Sequence, residues 1–203
     1  MRRATGREEK ARMSLTSRPA YLGESIVISI DSSSSMNVRD VRPSRIEAAK
    51  RAASVFVRAA AARGRPVLFG VVEFHRDAIV ILDLSEDVGL VESAISLVRP
   101  LGKASNVVKA LGEAYHLLKW SPPGYGKRVL LLTDGDVGDS GLLPSAVFLY
   151  QANGIRLDSI VISGSARSKI SRVLEAASAT GGEALPAESL EEAVKAALRL
   201  GSQ

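Results

Sequence analysis

Residues 24–35 decide the fold, and they read ESIVISIDSSSS. Isoleucine and valine dominate the first half of this stretch, and apolar residues alternate there with others. This pattern predicts a strand that ends at Asp31. A serine-rich loop follows, and residues 46–60 then place apolar side chains at helical spacing. A strand that continues through a polar loop into an amphipathic helix is typical of the first unit of an α/β domain.

Strand-like and helix-like segments alternate along the rest of the chain. Residues 66–74 and 78–84 are apolar strands with so short a polar link that they must form an antiparallel hairpin. Further strands are predicted at 128–133, 155–163 and 183–186, and further helices at 86–98, 106–119, 142–152, 165–180 and 189–200. This order predicts an α/β fold, with a doubly wound, mostly parallel six-stranded sheet, one antiparallel edge strand and helices on both faces.

The basic excess of the chain lies at its amino-terminal end. The 203 residues carry a net charge of +5, and residues 1–20 hold six basic and two acidic side chains. We therefore expect residues 1–20 to form a flexible basic arm and residues 21–203 to form a single domain. The arm has no aromatic side chain to stack on bases, which makes nucleic acid an unfavoured partner.

Cysteine is absent from the chain, which excludes a disulfide scaffold, a thiolate zinc site and cysteine catalysis. No apolar run approaches the roughly 18 residues that a membrane-spanning helix needs. The basic amino-terminal end is not followed by the apolar core of a signal peptide. These features predict a cytoplasmic protein without a membrane span, and they leave the oligomeric state open.

Carboxylates follow two of the predicted strands, and hydroxyl groups surround them in the sequence. Asp31 and Asp134 each come directly after a strand, and ligands of such sheets bind beyond the carboxyl ends of the strands. Ser33 and Ser35 share the loop after Asp31, and Ser105 is a candidate N-cap of the helix that follows it. Two carboxylates and several hydroxyls suit a hard cation such as Mg²⁺. The alternative is a polar loop in which Asp31 only caps the next helix.

The order and spacing of these residues resemble a known site. Asp31-x-Ser33-x-Ser35, then Ser105, then Thr133-Asp134-Gly135 are similar to the metal-ion-dependent adhesion site of a von Willebrand factor A domain. The resemblance implies that the two loop serines bind the metal directly and that the two aspartates act through waters. It also implies that Ser105 stands where the family usually has threonine. The implied cofactor is Mg²⁺, with Mn²⁺ or Ca²⁺ as alternatives.

A second stretch narrows the resemblance within that family. Residues 40–50 read DVRPSRIEAAK. This first-loop pattern is similar to bacterial A domains of the aerotolerance type, which work with AAA+ ATPases of the MoxR kind. Its spacing is also similar to the A domains of the proteasomal ubiquitin receptor and of a transcription-factor-H subunit. The resemblance therefore does not fix one partner.

The leading hypothesis is a non-catalytic interaction module, in which the metal grips an aspartate or glutamate of a partner protein, an AAA+ ATPase or another intracellular complex. One alternative is a magnesium-dependent phosphohydrolase or phosphotransferase, which would also have aspartates at strand ends. Such a site usually has a second acid two residues after the nucleophile, where this chain has Ser33. A second alternative is a scaffold that does not use its metal site.

Two further expectations concern the stability of the site and the motion of the last helix. We expect Asp134 to face the crevice and to repel Asp31 in the absence of metal, so that loss of Asp134 costs little stability. We also consider the helix at 189–200 as a lever that shifts when the site is occupied, with a static packing helix as the alternative.

Overall fold

The structure is a computed structural model that describes residues 21–136, 138 and 141–203. The predicted amino-terminal arm, residues 1–20, lies outside the described part of the chain. Within that part, one sheet contains the strands β1 (Gly23–Asp31), β2 (Val67–Phe74), β3 (Ala78–Ser85), β4 (Tyr125–Thr133), β5 (Ile155–Ile162) and β6 (Ala184–Ala187).

The strand order is β3-β2-β1-β4-β5-β6. Only β3 runs antiparallel to its neighbour, and the other four strand pairs are parallel. This arrangement confirms the predicted fold class, including the single antiparallel strand at one edge. The chain builds the sheet outward from β1 on one side and then returns to β4 on the other. The strand order therefore reverses between β1 and β4, whose carboxyl ends lie at Asp31 and Thr133.

Helices cover both faces of the sheet. They are α1 (Arg45–Ala61), α2 (Val88–Leu97), α3 (Val107–Leu118), α4 (Leu143–Ala152), α5 (Ala166–Lys169), α6 (Ser171–Ala179) and α7 (Leu190–Gly201), with a 3₁₀ turn at Ser34–Asn37. The predicted helix at 165–180 is divided at Ile170, whose side chain packs against the core of one face.

The alternation of side chains along β1 explains the two cores. Ile26, Ile28 and Ile30 point to the face that α1, α2 and α7 cover, whereas Val27 points to the face that α3, α4 and α6 cover. Because both faces are buried, the central strands are apolar nearly throughout, as the sequence analysis expected. Asp31 ends β1 and Asp134 follows β4, and because these two strands are parallel neighbours, both residues lie at the same edge of the sheet.

The last helix, α7, is fixed to the rest of the domain at its carboxyl end. A side chain added at Gly201 would lie 2.9 Å from the backbone oxygen of Phe56, so α7 and α1 are in close backbone contact. Arg128 of β4 donates to the backbone oxygen of Leu200 at 2.9 Å and pairs with the buried Asp158 at 2.6 Å. These contacts hold the carboxyl end of α7 against α1 and β4, and whether α7 packs statically or slides when the site is occupied stays a prediction.

None of the helices in residues 21–136 and 141–203 is both long enough and apolar enough to cross a bilayer.

Candidate functional site

Asp31 lies at the centre of the site, at the end of β1. Its side chain is fully buried, and its Oδ1 accepts a hydrogen bond from the backbone N–H of Ser33 at 2.9 Å. Its Oδ2 accepts from the hydroxyls of Ser105 at 2.8 Å and Thr133 at 3.0 Å. All three donors are neutral, and no ion pair joins Asp31 to a cation of the described chain. A buried carboxylate is thus hydrogen-bonded but not neutralised.

This environment changes the acidity of Asp31. Burial raises the pKa of the Asp31 carboxyl above its ordinary value because the charged form loses its hydration. Hydrogen bonds from Ser33 and Ser105 act in the opposite direction, and the nearby charge of Asp134 adds a smaller increase. The negative charge of Asp31 is therefore costly in the absence of a cation, and a cation at this position would relieve that cost.

The two loop serines face each other beside Asp31. The hydroxyl oxygens of Ser33 and Ser35 are 3.0 Å apart and share a hydrogen bond. Ser33 is held in place because it pairs with Gly102 of the loop before α3. A short bond of 2.5 Å from the backbone N–H of Ser34 to the carbonyl of Gly102 adds to this connection. Two hydroxyl oxygens are thus presented side by side at the carboxyl edge of the sheet.

Ser105 does not cap α3, contrary to the sequence expectation. The N-cap is Asn106, whose side chain accepts from the backbone N–H of Lys109 at 2.8 Å. An asparagine side chain serves as well as serine in this role. The hydroxyl of Ser105 is consequently free to donate to Asp31, and the residue is buried. The prediction that Ser105 lies at the site stays compatible with the structure, although its local role is different.

Asp134 is also buried, but it is neutralised by a cation that the sequence analysis did not identify. Its Oδ2 accepts from Nη1 of Arg45 at 2.8 Å, and its Oδ1 accepts from the backbone N–H of Asp136 at 3.1 Å. Arg45 is the first residue of α1, and its side chain is 8% exposed. The expected repulsion between Asp134 and Asp31 is present, but Asp134 also pairs with the positive charge of Arg45, which that expectation left out.

Arg45 is itself held by a second carboxylate. Its Nε and Nη2 donate to the two oxygens of Asp40 at 2.8 and 2.6 Å, which is the two-pronged geometry that guanidinium groups favour. Asp40 also accepts from the backbone N–H groups of Val41 and Gly164. The Arg45 side chain lowers the pKa of the Asp40 carboxyl well below its ordinary value, and Asp40 raises that of Arg45.

The five predicted site residues therefore belong to one connected group. Ser33, Ser105 and Asp31 are linked directly, and Ser35 is linked through Ser33. Asp134 joins through Arg45, whose Nη1 also approaches the backbone oxygen of Ser35 at 3.4 Å. The neighbouring Thr133 joins β4 to Asp31.

The donor chemistry of this group fits a divalent metal of the magnesium type. No cluster of three or more carboxylate or imidazole groups suited to a metal occurs in residues 21–136, 138 and 141–203, so hydroxyls would have to complete the set. Asp31, Ser33, Ser35 and Ser105 offer only oxygen atoms, which hard cations prefer. Asp31 lacks a cationic partner among the described residues, which is the feature of this structure that most favours a bound cation.

The sequence did not identify two residues of the site, Thr133 and Arg45. Thr133 was read only as part of a motif, although its hydroxyl touches Asp31. Arg45 could have been recognised from the sequence, because the dipole of a helix disfavours a cation in the first turn. An arginine at the first position of α1 therefore indicates a nearby anion. Of the two carboxylates that follow Asp134 in the chain, Asp136 is exposed, and Asp139 lies outside the described residues.

Several solved structures have a similar fold at low sequence identity. Among solved structures, BatB from Bacteroides thetaiotaomicron shares 19% identity over 89% of this chain and 100% of its own, with a TM-score of 0.73. An aerotolerance-related membrane protein from Bacteroides fragilis shares 22% identity over 88% of this chain and 98% of its own, with a TM-score of 0.73. The VWA domain of SpRpn10 shares 18% identity over 89% and 97%, with a TM-score of 0.75.

At these identities the structural neighbours support the fold alone. No curated protein gives a significant match to the sequence. The family model described as the von Willebrand factor type A domain matches residues 26–136, a segment that begins in β1 and includes all five predicted site residues. Since that match spans more than half of the chain and the sheet order agrees with it, the chain belongs to the von Willebrand factor type A domain family.

Proposed function

We propose that this domain is a non-catalytic interaction module that binds Mg²⁺ or Mn²⁺ through Asp31, Ser33, Ser35, Ser105 and Asp134. The metal would offer an open coordination position to an aspartate or glutamate of a partner protein. The observation that carries the proposal is the fully buried Asp31 carboxylate, which has neutral donors on both oxygens and no ion pair with a described cation. The family, one of protein-interaction modules, supports the same conclusion.

The residues of the site would have different roles in binding the metal. The hydroxyls of Ser33 and Ser35 are adjacent and would bind the ion directly. Asp31, which accepts a hydrogen bond from the backbone of Ser33, would contribute negative charge near the ion. The hydroxyl of Ser105 would donate its hydrogen to Asp31 and offer its oxygen to the ion. The bound ion would supply Lewis acidity for the incoming carboxylate, and the partner would provide the remaining ligand.

Catalysis by Asp31 is disfavoured by its surroundings. A phosphoryl-transferring aspartate needs an oxygen that can reach the substrate, but Asp31 is fully buried and both of its oxygens accept hydrogen bonds. We therefore expect no release of nitrophenol from p-nitrophenyl phosphate in the presence of Mg²⁺. Turnover that Asp31→Asn abolishes would instead favour the magnesium-dependent phosphohydrolase.

Metal binding is tested by isothermal titration with MnCl₂ and MgCl₂. The double variant Ser33→Ala/Ser35→Ala should lose the heat of binding, because it removes two ligand oxygens; in the metal-free domain it removes the Ser33–Ser35 bond and the side-chain hydrogen bond of Ser33 to Asp31. The matched control is Ser121→Ala, which removes a similar serine–serine bond near the other end of β1, at Ser25. Equal binding by both variants and the parent would contradict the proposed site.

Partner binding is tested separately, with the purified domain as bait in native extract. We expect capture that depends on Mg²⁺, disappears with a chelator and is lost with the Ser33→Ala/Ser35→Ala bait. An AAA+ ATPase is one partner class to look for, since residues 40–50 are similar to aerotolerance-type domains. Capture that persists in the chelator would indicate a scaffold that does not use the metal.

A further inference from the structure

Arg45 occupies a position that helix formation alone does not explain. It is the first residue of α1, where the positive end of the helix dipole opposes a cation. Its side chain is nevertheless 8% exposed and extends to the carboxyl edge of the sheet. There it donates to Asp134 at 2.8 Å and to both oxygens of Asp40. The carboxylates of the site, rather than the helix, therefore account for its placement.

The charges of the site are unequally distributed. The connected group contains three carboxylates, Asp31, Asp40 and Asp134, and one cation, Arg45. The cation contacts Asp40 and Asp134 but not Asp31. A divalent ion beside Ser33 and Ser35 would draw on the charge of Asp134 while Arg45 already holds one of its oxygens. Two cations that share one buried carboxylate compete for it, because their mutual repulsion is only weakly screened there.

We propose that Arg45 is a positioning residue that competes with the metal for Asp134, and that Asp40 limits this competition by holding the guanidinium group. The inference rests on the proposed metal site. In the metal-free domain, Arg45 keeps Asp134 in place and neutralises it. With an ion bound, the guanidinium group would give up part of its contact with Asp134 and would remain on Asp40.

Asp40 is built to retain the guanidinium during this exchange. Besides the two contacts with Arg45, it accepts from the backbone N–H groups of Val41 at 2.9 Å and Gly164 at 2.8 Å. Gly164 lies in the loop after β5, so Asp40 is fixed by two separate loops. A carboxylate held at a fixed position keeps its partner's charge away from the metal, whereas a freed guanidinium would move fully onto Asp134.

The two residues should consequently have opposite effects on metal affinity. Arg45→Met keeps most of the side-chain length but removes the charge, and we expect it to tighten Mn²⁺ binding about tenfold or more. The same variant should be less stable in EDTA, because buried Asp134 then lacks its partner. Asp40→Asn should weaken Mn²⁺ binding by about threefold or more, because it releases the guanidinium towards Asp134.

The experiment measures Mn²⁺ affinity by titration calorimetry and metal-free stability by urea unfolding in EDTA. The matched control is Arg58→Met, on the same helix, whose side chain is 64% exposed and pairs with Glu92. It should change neither quantity appreciably. The decisive comparison is the double variant Asp40→Asn/Arg45→Met, whose affinity should equal that of Arg45→Met, since Asp40 acts only through Arg45.

Each outcome decides between the inference and its alternatives. Weaker or unchanged Mn²⁺ binding by Arg45→Met would overturn the inference while leaving the proposed metal site in place. If that variant does not fold, tighter or unchanged binding by Asp40→Asn overturns it equally. If the two substitutions change Mn²⁺ affinity additively in the double variant, Asp40 acts on the metal through its own charge and not through Arg45, which contradicts the inference. Binding by Arg45→Met but not by the parent supports the inference, and no binding by any variant rejects the metal site itself.

Discussion

Replacement of Asp134 by alanine should destabilise the metal-free domain. The carboxylate is 1% exposed and accepts from Arg45 at 2.8 Å and from the backbone of Asp136 at 3.1 Å. Breaking a buried ion pair by removing one partner costs about 3–5 kcal/mol. Arg45 keeps its two bonds to Asp40, and the repulsion between Asp31 and Asp134 disappears, so the net loss should be smaller, about 1–3 kcal/mol.

The assays are urea unfolding and thermal unfolding, both followed by circular dichroism in EDTA at neutral pH. A loss of this size should lower the melting temperature by about 2–12 °C for a domain of this length. The matched control is Asp31→Asn at the same site. Asp31 lacks a described cationic partner and its pKa is raised by burial, so its neutral replacement should leave stability unchanged or increase it. An Asp134→Ala domain as stable as the parent would refute this account of Arg45.

Three further predictions concern stability. Asp158→Ala should cost about 3–5 kcal/mol in urea unfolding because it leaves Arg128, whose side chain is 1% exposed, without its carboxylate; a loss below 1 kcal/mol would contradict this. Gly201→Ala should cost about 1–3 kcal/mol, since the new methyl group would lie 2.9 Å from the backbone oxygen of Phe56; an unchanged melting temperature would mean that α7 can shift. Asp40, whose pKa is lowered by Arg45, contributes stability that is present above the unfolded-state pKa of about 4 and is lost as the pH falls below it. The stability difference between the parent and Asp40→Asn should therefore shrink between pH 5 and about 2.5, and a constant difference in urea midpoint would contradict the ion pair.

The sheet could be predicted from the sequence because its signals are local. Alternating isoleucines, a three-residue hairpin link and apolar runs bounded by glycine and proline determine where the strands lie and which one is antiparallel. The positions of Asp31 and Asp134 followed from the same signals, since each comes after a strand. The general rule that such sheets bind ligands at their carboxyl edge then brought the two residues together.

The charge balance of the site could not be predicted in the same way. Whether Asp134 has a cationic neighbour depends on the path of α1 across the sheet, and Arg45 is 89 residues away in the chain. The cap of α3 was misassigned for a different reason. Ser105 and Asn106 are both good N-cap residues, and a shift of one position is within the usual uncertainty of helix ends. In the structure the hydroxyl of Ser105 bonds to Asp31, and the side chain of Asn106 caps the helix.

The separation of tasks between Ser105 and Asn106 affects how this domain can evolve. Helix α3 begins with the help of Asn106, so the side chain at 105 can change without weakening the helix. Substitution by threonine would add a methyl group that restricts the hydroxyl to fewer rotamers. If the domain binds a metal as we propose, single substitutions at position 105 would then change metal affinity while α3 keeps its amino-terminal cap.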